Sequence, residues 1–334
     1  HAHLEAYRKG RALLVPMYWD SPVGHDDVVF APGPHADEQY KFGTDFVVAP
    51  VVEKIGGGSG GGGVAAVEKR VWLPEGEWAP WNGEEGHSCA GTASGSTSAA
   101  SASAILRGPI ALTLECGLDQ MPVFVNASRI VPTRSPSVGG DRDSYEAAAD
   151  AIVWVLWVPR LTSSTGAPGE GRLFEDDGKT MDYHDSVRRE PTTADDETPA
   201  GGMLTLATSF SNTTSTCVRI AGGVGTYQGA PAQRAHHFEL RAITLADVGK
   251  VVCRSEGVSG GTTEGIASSP TGGAVHVACV DSIDVRTSLE MCVQRKETVG
   301  ATADADAVDA DAADAAEADA GRNSTVKKVP YSKQ

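Results

Sequence analysis

The sequence predicts an all-β protein built as two antiparallel β-sandwiches, and three observations carry that prediction. Short apolar runs recur along most of the chain, separated by glycine, serine and proline, the rhythm of sandwich strands and turns. One run, AIVWVLWV at residues 151–158, is apolar at every position, which fits a strand covered on both faces. Strands do not alternate with long helical patterns, so a (β/α)8 barrel, which needs about 250 residues, is not encoded here.

The elements follow in order. Residues 1–9 have helical spacing, with Leu4 and Tyr7 on one side and Gly10 as a natural stop. An extended stretch starts at Leu13, bounded by Pro16 and Pro22. Residues 46–52 read as a buried strand. GGGSGGGG at 56–63 supplies flexibility and no packing side chain, so it reads as the expanded tip of a hairpin that resumes at Val64. Residues 89–104 are rich in Ser, Ala, Gly and Thr and read as a surface insertion without structure.

Two further short strands follow at 110–114 and 121–125. SPSVGGDRD at 135–143 marks a boundary between domains. In the run at 151–158, Trp154 and Trp157 are three apart, so in a strand they face opposite sides. Strands then continue at 203–210, 216–220, 237–243, 251–254, 275–280 and 288–293. Residues 301–320 are almost only Ala and Asp and bury too little to pack, so the tail reads as disordered.

The charge excludes some partners. With 28 basic and 44 acidic residues the net charge is −16, and phosphate backbones need basic patches, so nucleic acid is not expected. Much of that charge belongs to the tail, where Asp304, Asp306, Asp309, Asp311, Asp314, Glu317 and Asp319 lie. The longest strongly apolar run falls far short of the ~20 residues of a membrane helix. His1 is not an initiator Met, so the sequence reads as starting mid-protein. The lack of a visible signal peptide therefore says nothing about the parent chain.

Several motifs suggest chemistry, and each has a plainer reading. Glu175-Asp176-Asp177-Gly178 offers carboxylates, but adjacent residues cannot face each other across a cleft as paired catalytic carboxylates do. It also lacks the twelve-residue ligand spacing of a calcium loop. Asp-Gly between strands is a turn signal, with Leu173 and Phe174 on one side and Met181 and Tyr183 on the other. Gly57-Gly58-Ser59-Gly60-Gly61 matches G-x-S-x-G, and Gly56, Gly58 and Gly61 match G-x-G-x-x-G. Both need a helix afterwards, and the VAAVEKRVWLPEGEW that follows reads as a strand and a turn. Asp182, His184 and Asp185 read as a solvent face rather than metal ligands. His1 and His3 do not share a helix face. His236-His237 has no visible partner. Trp72, Trp78 and Trp81 read as core rather than a sugar-stacking platform. No catalytic residue, cofactor site or metal site is assigned within the chain.

The six cysteines, Cys89, Cys116, Cys217, Cys253, Cys279 and Cys292, form no CxxC pair and permit 15 pairings. Sequons at Asn126, Asn212 and Asn323 lean slightly toward the secretory pathway, whether the endoplasmic reticulum lumen or the extracellular space, over the cytoplasm, since a Ser/Thr-rich chain carries a few sequons by chance.

Five segments in fixed order carry a further reading: LLVPMYWDSP (13–22), EQYKFGTDFVVAPVV (38–52), VWLPEGEW (71–78), LDQMPVFVNASRIVP (118–132) and GRLFEDDGKTMDYHD (171–185). Together they resemble the C-terminal part of glycoside hydrolase family 31, the α-glucosidase and α-xylosidase family. The resemblance covers residues 4–185. It implies that residues 1–11 end a missing (β/α)8 barrel as its last helix. Residues 12–134 would then form a proximal sandwich, 145–298 a distal one, and 299–334 the acidic tail. It also implies a retaining glycosidase acting on α-linked oligosaccharides or glucosides, whose two catalytic aspartates lie on the barrel upstream of His1. The alternative is a stand-alone carbohydrate-binding sandwich.

Overall fold

The computed structural model describes residues 6, 10–19, 38–52, 66–81, 89–93, 105–117, 120–134, 151–158, 168–180, 182, 201–212, 214–256, 262–269, 274–279 and 282–296. The expected first helix, apart from Ala6, the glycine-rich tip and the Ala/Asp tail lie outside these residues. The described residues belong to one compact unit within residues 1–296.

Among the described residues, twenty strands form that unit. They begin with β1 (Leu14–Pro16), β2 (Tyr40–Phe42), β3 (Phe46–Val48), β4 (Val67–Pro80), β5 (Ala90–Ala93), β6 (Leu106–Cys116) and β7 (Val123–Asn126). Next come β8 (Val131–Arg134), β9 (Ala151–Trp157), β10 (Gly169–Asp176), β11 (Gly202–Ser211), β12 (Ser215–Ile220), β13 (Val224–Gly225) and β14 (Gln233–Arg241). The last are β15 (Val248–Ser255), β16 (Thr262–Glu264), β17 (Ile266–Ser268), β18 (Val275–Ala278), β19 (Ile283–Asp284) and β20 (Leu289–Arg295).

They assemble into three sheets. The first runs β1-β2-β3-β7-β4-β6-β5, the second β10-β11-β12-β20-β15-β16, and the third β17-β18-β14-β9-β8. Strand β13 adds to β11, and β19 to β14.

The first sheet owes its bend to β4. VWLPEGEW was expected to leave its strand for a turn, but β4 continues through Pro74 and Gly76 by a bulge between Leu73 and Gly76. Gly76 sits at φ 128°, a conformation that L side chains avoid. Trp78 Nε1 donates to Pro74 O at 2.9 Å across the bulge, and Trp78–Pro80 then pairs with β7. Gln39 acts as a strand substitute: its side-chain oxygen accepts from Trp72 N at 2.9 Å, and its Nε2 donates to Trp72 O at 2.8 Å. Beside it, the buried Lys69 ammonium holds Glu38 at 2.6 Å. The EQYKFG segment, whose strand pairs with β1 and β3, is therefore tied to β4 by side chains alone.

Residues 90–93, expected to be structureless, form β5 at the sheet edge. The Cys89–Cys116 disulfide fixes its start opposite the end of β6, with Ala90 facing Glu115. The other cysteines pair as Cys217–Cys292 and Cys253–Cys279, leaving no free thiol. Cys217 and Cys292 face each other across β12 and β20. Cys253 lies on β15 of the second sheet, whereas Cys279 follows β18 of the third, so their bond joins two layers. Each link removes freedom from the unfolded chain, typically contributing ~2–4 kcal/mol.

The layers stack around β9. Ile152, Trp154 and Leu156 join one core with Val218, Ile220, Val251, Met291 and Phe238, between the second and third sheets. Val153, Val155 and Trp157 join another with Ala79, Val125 and Ala127, between the first and third sheets. Every residue of β9 is buried, as a fully apolar strand requires. Met17, Val47, Val71, Leu73, Leu112 and Phe124 fill a third core within the folded first sheet. Two features depart from expectation. Strand β8 pairs with β9 in the third sheet, and β9 runs parallel to β14, from Ala151↔Ala235 to Trp157↔Arg241. A parallel neighbour needs a long crossover, and 75 residues separate these strands' ends and starts (157 to 233 by position).

Candidate functional site

The sequence candidates scatter rather than converge. Asp182 is exposed, and His184 and Asp185 lie outside the described residues, as do His1, His3 and Gly56–63. Trp72 and Trp78 are buried in the core of the first sheet, and Trp81 packs between the first and third sheets. The sugar-stacking platform considered for these three is therefore not exposed. Among the described residues, no cluster of three or more His, Cys, Asp or Glu could hold a metal ion.

The EDDG segment divides into a turn and an ion pair. Asp177 Oδ1 accepts from Thr180 N at 2.9 Å and Lys179 N at 3.1 Å, and Gly178 takes φ 63°. Those amide donors, Thr180 first, hold the Asp177 carboxyl below its ordinary value. The expected partner of β10 near Met181 and Tyr183 is corrected by the register: Asp176 faces Gly202 of β11. Glu175 points elsewhere. It receives Arg234 in a bidentate pair, Nη1 to Oε2 at 2.5 Å and Nη2 to Oε1 at 2.8 Å. Arg234 is 1% exposed, so its charge depends on that carboxylate. Tyr227 is raised by burial, then by the Glu175 charge.

His236, thought to lack a partner, has a buried one. Trp154 Nε1 donates to His236 Nδ1 at 3.0 Å, with the rings stacked 19° apart. Burial, then the Arg234 charge, pushes His236 down to about 4. Unfolded, an imidazole titrates near its ordinary 6.5. Between those values the unfolded chain holds the extra proton. Stability is therefore complete above about pH 6.5 and falls as pH drops toward 4. His237 shifts the same way, through burial and then His276. Each fully coupled proton costs about 1.4 kcal/mol per pH unit. Urea unfolding at pH 7 and pH 5 should show a drop that shrinks by about one proton's worth in His236→Gln. An unchanged pH slope in that variant would remove His236 from the account.

What does gather at the surface is an aromatic edge. Leu14 and Phe42 face each other across β1 and β2, and Tyr18 and Trp19 follow in the next turn. Leu14 is 57% exposed, Tyr18 49%, Trp19 63% and Phe42 39%. Strand β1 is the outermost strand of its sheet, so this apolar group sits on an edge. A ladder of rings connects it inward. Phe42 and Phe46 lie 6.5 Å apart, Phe46 and Trp81 5.5 Å, and Trp81 and Trp157 5.9 Å. The Arg241 guanidinium sits 5.2 Å and 5.4 Å from the two tryptophan rings, and its Nη1 donates to Trp81 O at 2.6 Å. The edge is thus anchored to the packed middle layer. Only the position of Trp19 in the PMYWD segment could have flagged it from sequence, and hydrophobicity alone reads as core.

Sheets stacked in this way, with an apolar edge and dispersed carboxylates, define an all-β region. Residues 10–131 match the glycosyl hydrolase family 31 C-terminal domain.

No curated protein matches the chain in sequence. Solved structures do resemble it. A family 31 dextranase from Flavobacterium johnsoniae, complexed with isomaltotriose, aligns at 18% identity and TM-score 0.56, over 87% of this chain and 30% of its own. The cycloalternan-forming enzyme of Listeria monocytogenes aligns at 16% identity and TM-score 0.49, over 88% of this chain and 21% of its own. A family 31 α-xylosidase from Xanthomonas citri gives 21% identity and TM-score 0.43, over 71% and 19%. The chain spans less than a third of these enzymes. The dextranase likeness establishes the shared fold. Among the described residues, no helix is long and apolar enough to cross a membrane.

Proposed function

We propose that the chain is the C-terminal part of a retaining α-glucosidase-type glycoside hydrolase and braces the barrel that does the chemistry. Residues 12–134 would form the proximal sandwich and 145–298 the distal one, after a barrel whose last helix ends near residue 11. Both catalytic aspartates would lie upstream of His1, one attacking the anomeric carbon and one protonating the leaving oxygen. The substrate would be an α-linked oligosaccharide or glucoside, and no cofactor would be needed.

The observation that carries this reading is the aromatic edge of Leu14, Tyr18, Trp19 and Phe42. Exposed apolar groups on a sheet edge are a contact surface unless something covers them. The edge opens the segment that matches the family domain, on the side where the chain would enter from a barrel. The experiment is to assay α-glucoside hydrolysis by the isolated chain and by the chain joined to its barrel. Activity is expected only in the joined protein, and Trp19→Asp there should lower both thermal stability and turnover. Turnover by the isolated chain would overturn the assignment, and an unaltered Trp19→Asp protein would overturn the bracing role.

A second reading rests on the same side chains. Exposed Tyr18 and Trp19 could instead stack sugar rings in a stand-alone binding module. It predicts that titrating the isolated chain with α-linked oligosaccharides quenches tryptophan fluorescence, and that Trp19→Ala removes the response. A flat titration would discard it.

A further inference from the structure

We propose that Asn212 is an N-glycosylation site occupied in the native protein, and that the Asn126 sequon is left unmodified. This is independent of whether the chain braces a barrel. Of the sequon Asn212-Thr213-Thr214, Asn212 and Thr214 lie between β11 and β12, where Asn212 N donates to Ser215 O at 2.9 Å. Asn212 and Thr214 are both exposed. The amide oxygen of Asn212 accepts from Thr214 N at 2.9 Å, Thr214 Oγ1 at 3.1 Å, Ser215 N at 2.7 Å and Ser215 Oγ at 3.1 Å. These four donors occupy the amide oxygen and leave Nδ2, the atom that is modified, outside the bonds of the turn. A glycan there would extend past a strand end and disturb no layer.

Asn126 has a similar local turn, its Oδ1 accepting from Ser128 N at 3.0 Å and Ser128 Oγ at 2.7 Å, but its surroundings differ. It is half-buried at the end of β7, where its backbone N donates to Asp45 O at 2.8 Å and its carbonyl accepts from Arg129 N at 2.9 Å. Ser128, which completes its sequon, uses its carbonyl to bind Glu170 N at 3.1 Å. This sequon is therefore locked in the junction between β7 and β10.

The compartment follows from the thiols. All six cysteines are paired, and Cys217, on the strand that leaves the Asn212 turn, is one of them. Disulfides persist in oxidising compartments, and the secretory lumen is one. There the modification needs a lipid-pyrophosphate-linked oligosaccharide as donor. Nδ2 of Asn212 bonds to the anomeric carbon, the bond from that carbon to the pyrophosphate oxygen breaks, the amide nitrogen loses a proton, and the lipid pyrophosphate leaves.

The test uses protein purified from the cells that make it. Release of glycans by peptide N-glycosidase in heavy-oxygen water converts an occupied Asn to labelled Asp, which peptide mass spectrometry assigns site by site. We expect label at Asn212 and none at Asn126. An unlabelled Asn212 would overturn the site, and a labelled Asn126 would overturn the selectivity. Thr214→Ala, expressed in the same cells, should abolish the label while Asn212 keeps its hairpin. Ser215→Ala removes another donor of the turn but keeps the sequon, so it should retain the label. Retention in the first variant, or loss in the second, would overturn the geometric argument.

Discussion

Trp154→Ala should cost about 3–5 kcal/mol, a large share of the 5–15 kcal/mol that holds a typical domain folded. The side chain is fully buried on β9 and faces the core that joins the second and third sheets. Removing it leaves a cavity between two layers that cross-strand pairing holds in place, so little collapse can compensate. It also deprives His236 Nδ1 of its donor at 3.0 Å. Trp154→Phe separates the two effects. It keeps most of the ring volume and loses only the donor, which should cost ~1–3 kcal/mol. Urea unfolding followed by far-ultraviolet circular dichroism measures both, because tryptophan fluorescence is altered by the substitution itself. If the alanine variant loses less than about 1 kcal/mol, the core around β9 relaxes more freely than dense packing allows.

Glu175→Ala should be equally severe, for a different reason. It strands the Arg234 guanidinium, 1% exposed, without the carboxylate that receives two of its N–H groups. Breaking a buried pair from one side costs roughly 3–5 kcal/mol, because the remaining charge is left in a poorly solvated place. Removing both charges should cost far less. The double variant Glu175→Leu with Arg234→Met is expected near wild-type stability, since the desolvation cost disappears together with the attraction. Unfolding midpoints of Glu175→Leu, Arg234→Met and the double variant form a cycle that reads the coupling directly. Additive losses would mean that the pair is solvated and that the EDDG segment is only a turn.

Much of the fold was readable because strand chemistry is local. The apolar run at 151–158 announced a strand with two covered faces, and Trp154 and Trp157 do point into different cores. Asp177-Gly178 announced a turn, and Gly178 has the positive φ that such a turn requires. What stayed hidden was long-range. Nothing near Asp176 says that its partner across the sheet is Gly202 rather than a residue close by. Nothing near Ala151 says that its neighbour runs parallel. Arg234 and Glu175 are 59 positions apart, and His236 and Trp154 are 82 apart. Neither pair has a spacing that periodicity can detect. Cysteine count left 15 pairings open, and β5 escaped notice because its hold on β6 comes from Cys89 rather than from its own Ala, Gly and Thr. The exposed Trp19 was hidden for the opposite reason: a tryptophan beside a strand reads as interior, and only its surroundings reveal that it is not.

The shared middle layer bears on how this region could be inherited or cut. Strand β8 follows directly from the first sheet in sequence yet pairs with β9, and the outer face of β9 closes the core that contains Ala79 and Val125. A gene segment ending after residue 134 would encode a first sheet with one wall exposed. A segment starting at residue 145 would leave Val153, Val155 and Trp157 facing water. Recombination at the glycine- and serine-rich stretch between them would therefore produce two aggregation-prone halves instead of two portable modules, so the stack should pass between proteins whole.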